Sequence, residues 1–345
     1  MANAEAHEPG RAELIKEIAD ILYWADDFTY SSALWAFLWL SDMSCLEKLK
    51  RRLAQDRIIN EFCNLTIDVI LPWLGKEKTQ LSGATTHYGS AVSTPTEPGS
   101  RKRRKISGDT RQTAETKFPK DELRVSEQRK LSYVTGAVSS RRLRTGSVLE
   151  NSHIYPDSMG PLENRQAFWE RLELFWPKEK VDQWRRILDT PEGTGSLVNT
   201  LTMNTLAHKA WGEALFALKH VKTSAREDKI HLQFYWLKPQ KDIPTSLTKD
   251  DFLKRPCLPS DECSGEDLLN FHNVKTLQPI RSGDVITMGS YFPSVKPLPS
   301  KELIELQWYL HRIVALSAAA TEDELKPPEE YYYESDTSDS LYEYS

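Results

Sequence analysis

The sequence predicts an α+β protein, and three observations carry that prediction. Apolar residues recur at helical spacing through the first 75 positions. Runs rich in β-branched and aromatic residues follow over residues 215–237 and read as strands. Helix-period segments lie on both sides of those strands. Hydrophobic residues are 39% of the 345 positions, and ten Trp, eleven Phe and thirteen Tyr supply aromatic surface for a real core.

In the first region, Leu14, Ile15, Ile18, Ile21 and Leu22 keep the spacing of an amphipathic helix. Ala33–Leu40 is eight apolar residues in a row, too short for a membrane span, and reads as a buried core helix. Ser44 with Glu47 three positions later has the form of a capping box and predicts a third helix from there. Leu46, Leu49, Leu53, Ile58, Ile59 and Phe62 carry the period on towards Pro72. Residues 1–78 are thus expected to be all-α, a scaffold or a surface for a protein partner.

Residues 79–130 change character. Ser, Thr, Gly and Pro dominate Ser82–Ser100, too few large apolar residues to offset ordering entropy, which predicts a disordered linker. Residues 100–144 hold fourteen Lys/Arg and five acids, a net charge of +9. The whole chain carries −5, so the remainder carries −14. Such a block suits a polyanion or an import receptor. The run Arg101, Lys102, Arg103, Arg104, Lys105 resembles a monopartite nuclear localisation signal, so a nuclear location is expected, with the cytoplasm otherwise. No stretch approaches the roughly 20 apolar residues of a membrane span. The start, MANAEAHEPGRAELIKE, has no apolar core of a secretory signal. Four scattered cysteines fit a reducing compartment.

Residues 131–320 regain globular character. Short β-like runs surround Val148 and Ile154, and Phe168, Trp169, Leu172, Phe175, Trp176 and Trp184 mark the apolar faces of two short helices. Leu215–Val221 and Ile230–Leu237 read as paired strands, and Ser282-Gly283-Asp284 as a turn before a strand at Val285–Met288. Pro299-Ser300-Lys301-Glu302 opens a helix that runs through Leu303, Leu306, Leu310 and Val314. Residues 321–345, with nine acids, one Lys and five Tyr, read as a disordered acidic tail.

Three residues could carry chemistry together. His153, in Ser152-His153-Ile154-Tyr155-Pro156, sits where a strand ends and can project into a cleft as a general base. Asn199 can orient that imidazole or brace the loop beside it. His208, nine positions later, can bind a divalent metal through a neutral ring nitrogen. A metal polarising a phosphoryl oxygen, with a histidine activating water, suffices for phosphodiester hydrolysis. His220, His231, His272 and His311 are expected in structural or surface roles. Arg141, Arg142 and Arg144 precede the motif and could grip phosphates.

At these residues the sequence resembles the HNH nucleases of the ββα-metal fold. Thr145-Gly146, Ser152–Pro156, Asn199–Leu206, His208-Lys209-Ala210-Trp211 and Phe216-Ala217-Leu218-Lys219 are similar to the HNH-domain proteins abundant in filamentous fungi. Ser282-Gly283-Asp284, Pro297–Ser300 and Leu306-Gln307-Trp308 resemble that family's C-terminal half, so the likeness covers about residues 140–320. It implies a ββα-metal core with helical insertions and a C-terminal extension. It further implies an endonuclease acting on DNA, with His153 as general base, Asn199 as its positioning partner and His208 as ligand to Mg²⁺, Mn²⁺ or Zn²⁺. Two departures open an alternative. Ser152 stands where many such enzymes place Asp or His, and Gly212 where members often carry Asp. Lacking those ligands, the chain could instead be a catalytically degenerate nuclear binding or scaffold protein.

Overall fold

A computed structural model describes residues 4–23, 30–56, 65–75, 149–160, 165–237, 246–256, 271–273 and 276–317. The expected linker, tail and import signal (Arg101, Lys102, Arg103, Arg104, Lys105) lie outside the described residues, as do Arg141, Arg142 and Arg144.

Helix α1 (Arg11–Tyr23) turns Leu14, Ile15, Ile18, Ala19 and Leu22 into the core, as its apolar period requires. A two-residue strand β1 (Tyr30–Ser31) leads into α2 (Ser32–Leu40). Ser31 caps it, its Oγ accepting the Leu34 N–H at 3.1 Å, and every residue of α2 is buried. Helix α3 (Met43–Asp56) starts differently from the expectation. Asp42 Oδ1 accepts both the Ser44 N–H (2.9 Å) and the Ser44 hydroxyl (2.6 Å). The carboxylate, a stronger acceptor at a helix start, takes the cap, and the serine hydroxyl is spent as a donor. A helical segment over Thr66–Ile70 and Leu71–Trp73 then ends at Gly75.

Strand β2 (Leu149–His153) pairs antiparallel with β3 (Thr200–Asn204), setting Leu149 opposite Asn204 and His153 opposite Thr200. The long connection between them holds α4 (Gln166–Leu172) and α5 (Lys178–Arg186), which bury Phe168, Trp169 and Trp184. Helix α6 (Thr205–Gly212) follows β3 at once, and Asn204 caps it by accepting the Ala207 N–H at 2.7 Å. A separate antiparallel sheet is built from β4 (Phe216–Thr223) and β5 (Lys229–Trp236), the paired strands that the sequence predicts. Strand β6 (Ser246–Leu247) reaches back to pair with β1, and the short helix α7 (Lys249–Leu253) follows it. The last strand, β7 (Val285–Gly289), adds to β5 on the side away from β4. Helix α8 (Lys301–Leu316) opens on Ser300, whose Oγ accepts the N–H groups of Glu302 and Leu303.

One hydrophobic core joins the N-terminal helices to everything described after residue 149. Polar ties seal the join. The Ser32 hydroxyl donates to the Ser317 carbonyl at 2.8 Å, and the Trp35 indole to that of Lys254 at 2.9 Å. Arg312 of α8, fully buried, grips Glu5 with two hydrogen bonds of 3.0 and 3.1 Å. Burial alone would raise the Glu5 carboxyl; the guanidinium outweighs it and holds the group below its ordinary value. Among the described residues no helix is long and apolar enough to cross a membrane.

Candidate active site

His153 is the last residue of β2, and the chain around it is fixed from three directions. On one side the Ile154 N–H donates to the Asn199 carbonyl at 2.8 Å. From α6, the Trp211 indole N–H donates to the carbonyl of His153 itself at 3.0 Å. Beyond it, the Asn199 side chain pairs with the backbone of Tyr155 in both senses. Its Oδ1 accepts the Tyr155 N–H (2.7 Å) while its Nδ2 donates to the Tyr155 carbonyl (3.0 Å) and to that of Thr194 (2.8 Å). Asn199 is wholly buried, and these bonds engage both of its amide hydrogens and its oxygen. Of the two roles open to it, bracing the loop is the one these bonds perform; it acts on His153 through the backbone. The imidazole of His153 has no hydrogen-bond partner among the described residues and is half-buried.

Tyr155, just beyond, anchors the turn by stacking on Trp169 with ring centroids 5.7 Å apart. Burial pushes its phenol well above the usual range, so it is an uncharged packing group. Asp157 accepts the Thr194 hydroxyl at 2.6 Å and closes the loop.

These features open onto a cleft of about 200 Å³ that His153, His208, Ser152, Asp157, Trp73 and His311 help to line. The structure therefore brings two of the motif residues, His153 and His208, to one cleft, while Asn199 lies behind its wall. Two contributions come from outside the motif. The N-terminal region supplies Trp73, Leu74 and Gly75. Gly75 has φ +70°, and a Cβ there would stand 3.2 Å from Ser158 Oγ, so only glycine fits this approach without strain. From α8 comes His311, whose Nδ1–H donates to the Phe216 carbonyl at 2.8 Å between the edges of Trp73 and Trp211. Burial drops its pKa to about 4, leaving it neutral. His311 packs as expected of it, yet its place in the cleft wall was not legible from sequence.

His208, on α6, meets a residue the motif does not contain. Its Nδ1 lies 2.6 Å from Glu150 Oε2, and the Thr205 hydroxyl donates to Glu150 Oε1 at 3.1 Å. Ser152, one position before His153, is 1% exposed, and its Oγ has no hydrogen-bond partner among the described residues. At Gly212 a Cβ would meet nothing within 4 Å, so the glycine is not forced by crowding.

Whether these groups suit a divalent metal can be judged from the donors themselves. Among the described residues no three His, Cys, Asp or Glu side chains converge as a metal site requires. Glu150 is turned to His208 and Asp157 to Thr194. The donors among the described residues do not fit a divalent metal.

Residues 133–219 match the HNH endonuclease family model. The matched segment contains His153, Asn199 and His208, together with β2, β3 and α6. It covers a quarter of the chain and leaves out Trp73 and His311 of the same cleft. No curated protein and no solved structure matches the chain.

Proposed function

We propose that the cleft is the active site of an HNH-type endonuclease that hydrolyses phosphodiester bonds in DNA, with β2, β3 and α6 as its ββα unit. The observation that supports this reading best is the state of His153. Its backbone is held by Asn199 and Trp211 while its imidazole stays unpaired at a cleft wall. That is what a general base needs: fixed geometry and a free ring nitrogen. His153 takes a proton from water, the resulting hydroxide attacks phosphorus, the P–O bond on the far side breaks, and the departing oxygen takes its proton from solvent. The basic block before the motif, including Arg141, Arg142 and Arg144, holds the phosphates with the salt dependence of counterion release. The run Arg101–Lys105 directs the protein to the nucleus. Plasmid cleavage by the purified protein, with Mg²⁺, Mn²⁺, Zn²⁺ or EDTA, tests the reading. Wild-type protein should nick the plasmid and His153→Ala should not; equal cleavage by both would end the mechanism.

A second reading, a catalytically degenerate nuclear binding module, draws support from the incomplete donor set and from Ser152 in place of a carboxylate. In it the N-terminal helices and the basic block hold a protein or DNA partner without cleaving it. DNA retention measured beside cleavage separates the two: a degenerate module holds the DNA without nicking it, and the endonuclease nicks what it holds.

A further inference from the structure

We propose that Glu150 is a positioning residue for His208: it fixes the ring so that Nε2 is the nitrogen offered to the cleft. The inference deepens the reading of the cleft as a phosphodiesterase site and rests on it for its consequence in catalysis, though not for its geometry.

A carboxylate has only lone pairs to offer, so the ring nitrogen 2.6 Å from Glu150 Oε2 must carry the hydrogen. That nitrogen is Nδ1. In the neutral ring the lone pair then belongs to Nε2, and the ring cannot flip without giving up its carboxylate. Glu150 is itself held. Its other oxygen accepts the hydroxyl of Thr205, in the first turn of α6, so one side chain of β2 grips the helix at two places one turn apart. The helix is capped immediately before, at Asn204, which fixes the azimuth at which His208 leaves it. Glu150 lies opposite Met203 in the strand pair, and the two-residue period of β2 puts it on the same face as Ser152, a cleft residue.

Stability does not account for this arrangement. Both side chains are 39% exposed, where a paired charge adds little to folding. Orientation does. A carboxylate that holds one nitrogen of an imidazole sets which tautomer the ring adopts.

Long-range ¹H–¹⁵N correlation spectra of the full chain read the tautomer directly, without any substrate. Wild-type His208 is expected as the Nδ1–H form. Glu150→Ala should release it to the mixture of a free imidazole, while Glu150→Gln, whose amide oxygen can still accept, should restore the Nδ1–H form in part. In plasmid cleavage, kcat should fall in Glu150→Ala at unchanged KM, with Glu150→Gln between it and wild type. If the alanine variant fails to fold, the glutamine variant alone carries both readouts. A wild-type ring in the Nε2–H form, or a tautomer indifferent to residue 150, overturns the proposal whatever the cleavage assay gives. A tautomer that follows residue 150 in a protein that cuts nothing supports the positioning role and ends the nuclease reading.

Discussion

The two sides of the cleft are built to different standards. In its wall and behind it, Trp211, His311 and Asn199 are buried and tied to backbone by hydrogen bonds of 2.7 to 3.0 Å. At its rim, His153 has no side-chain partner among the described residues, and His208 is half-open beside Glu150. The fold over-determines where the backbone runs and leaves the reactive side chains lightly held. Stability and chemistry are thereby assigned to different residues, and substitutions should separate them.

The sharpest break is Asn199→Ala. It strands the N–H and carbonyl of Tyr155 and the carbonyl of Thr194, and should cost about 3 kcal/mol or more in urea unfolding. A loss below about 1 kcal/mol would mean the loop after His153 holds its shape without the amide. His311 should show itself through pH. Its folded pKa of about 4 lies below the 6.5 of the unfolded chain, so between those values only the unfolded state takes up the proton. Its share of stability is full above pH 6.5 and declines by about 3 kcal/mol as pH falls to 4. The stability-against-pH slope in that window should be shallower in His311→Gln. Ser152→Ala removes a buried hydroxyl that pairs with nothing described, and should change unfolding by about 1 kcal/mol or less, in the stabilising direction. Smallest is His153→Ala, expected within about 0.5 kcal/mol of wild type by the same measurement. A large loss there would place His153 with the wall and undo the contrast.

Much of the scaffold was legible because it depends on local pattern. The spacing of Leu14, Ile15 and Ile18, the Ser300 cap and the aromatic run Ile230–Leu237 each specify their element within a few residues. The α3 start was misread because a capping-box pattern does not reveal that the preceding Asp42 is the better acceptor. Distance hid the rest. Pairing of β1 with β6 joins two-residue strands more than 200 positions apart, too short to show any period. Asn199 and His153 could be named from their order, but the bond to Tyr155 crosses 44 positions and needs the register of β2 on β3. Glu150 had a faint signal, since a strand ending at His153 puts it on one face with Ser152. That it meets His208 depends on how α6 lies across the strands.

Gly75 has a consequence for what counts as a module here. Together with Trp73 it brings chain from before residue 76 against the turn after His153, and His311 arrives from near the other extremity. The segment that carries the motif is therefore not portable. Excised as residues 133–219, it would leave two of its walls behind and present Trp211, Tyr155 and Phe168 to water on the sides they had closed. What can be inherited, duplicated or engineered as a unit is the motif together with the flanks that enclose it, a unit discontinuous in sequence and continuous in space.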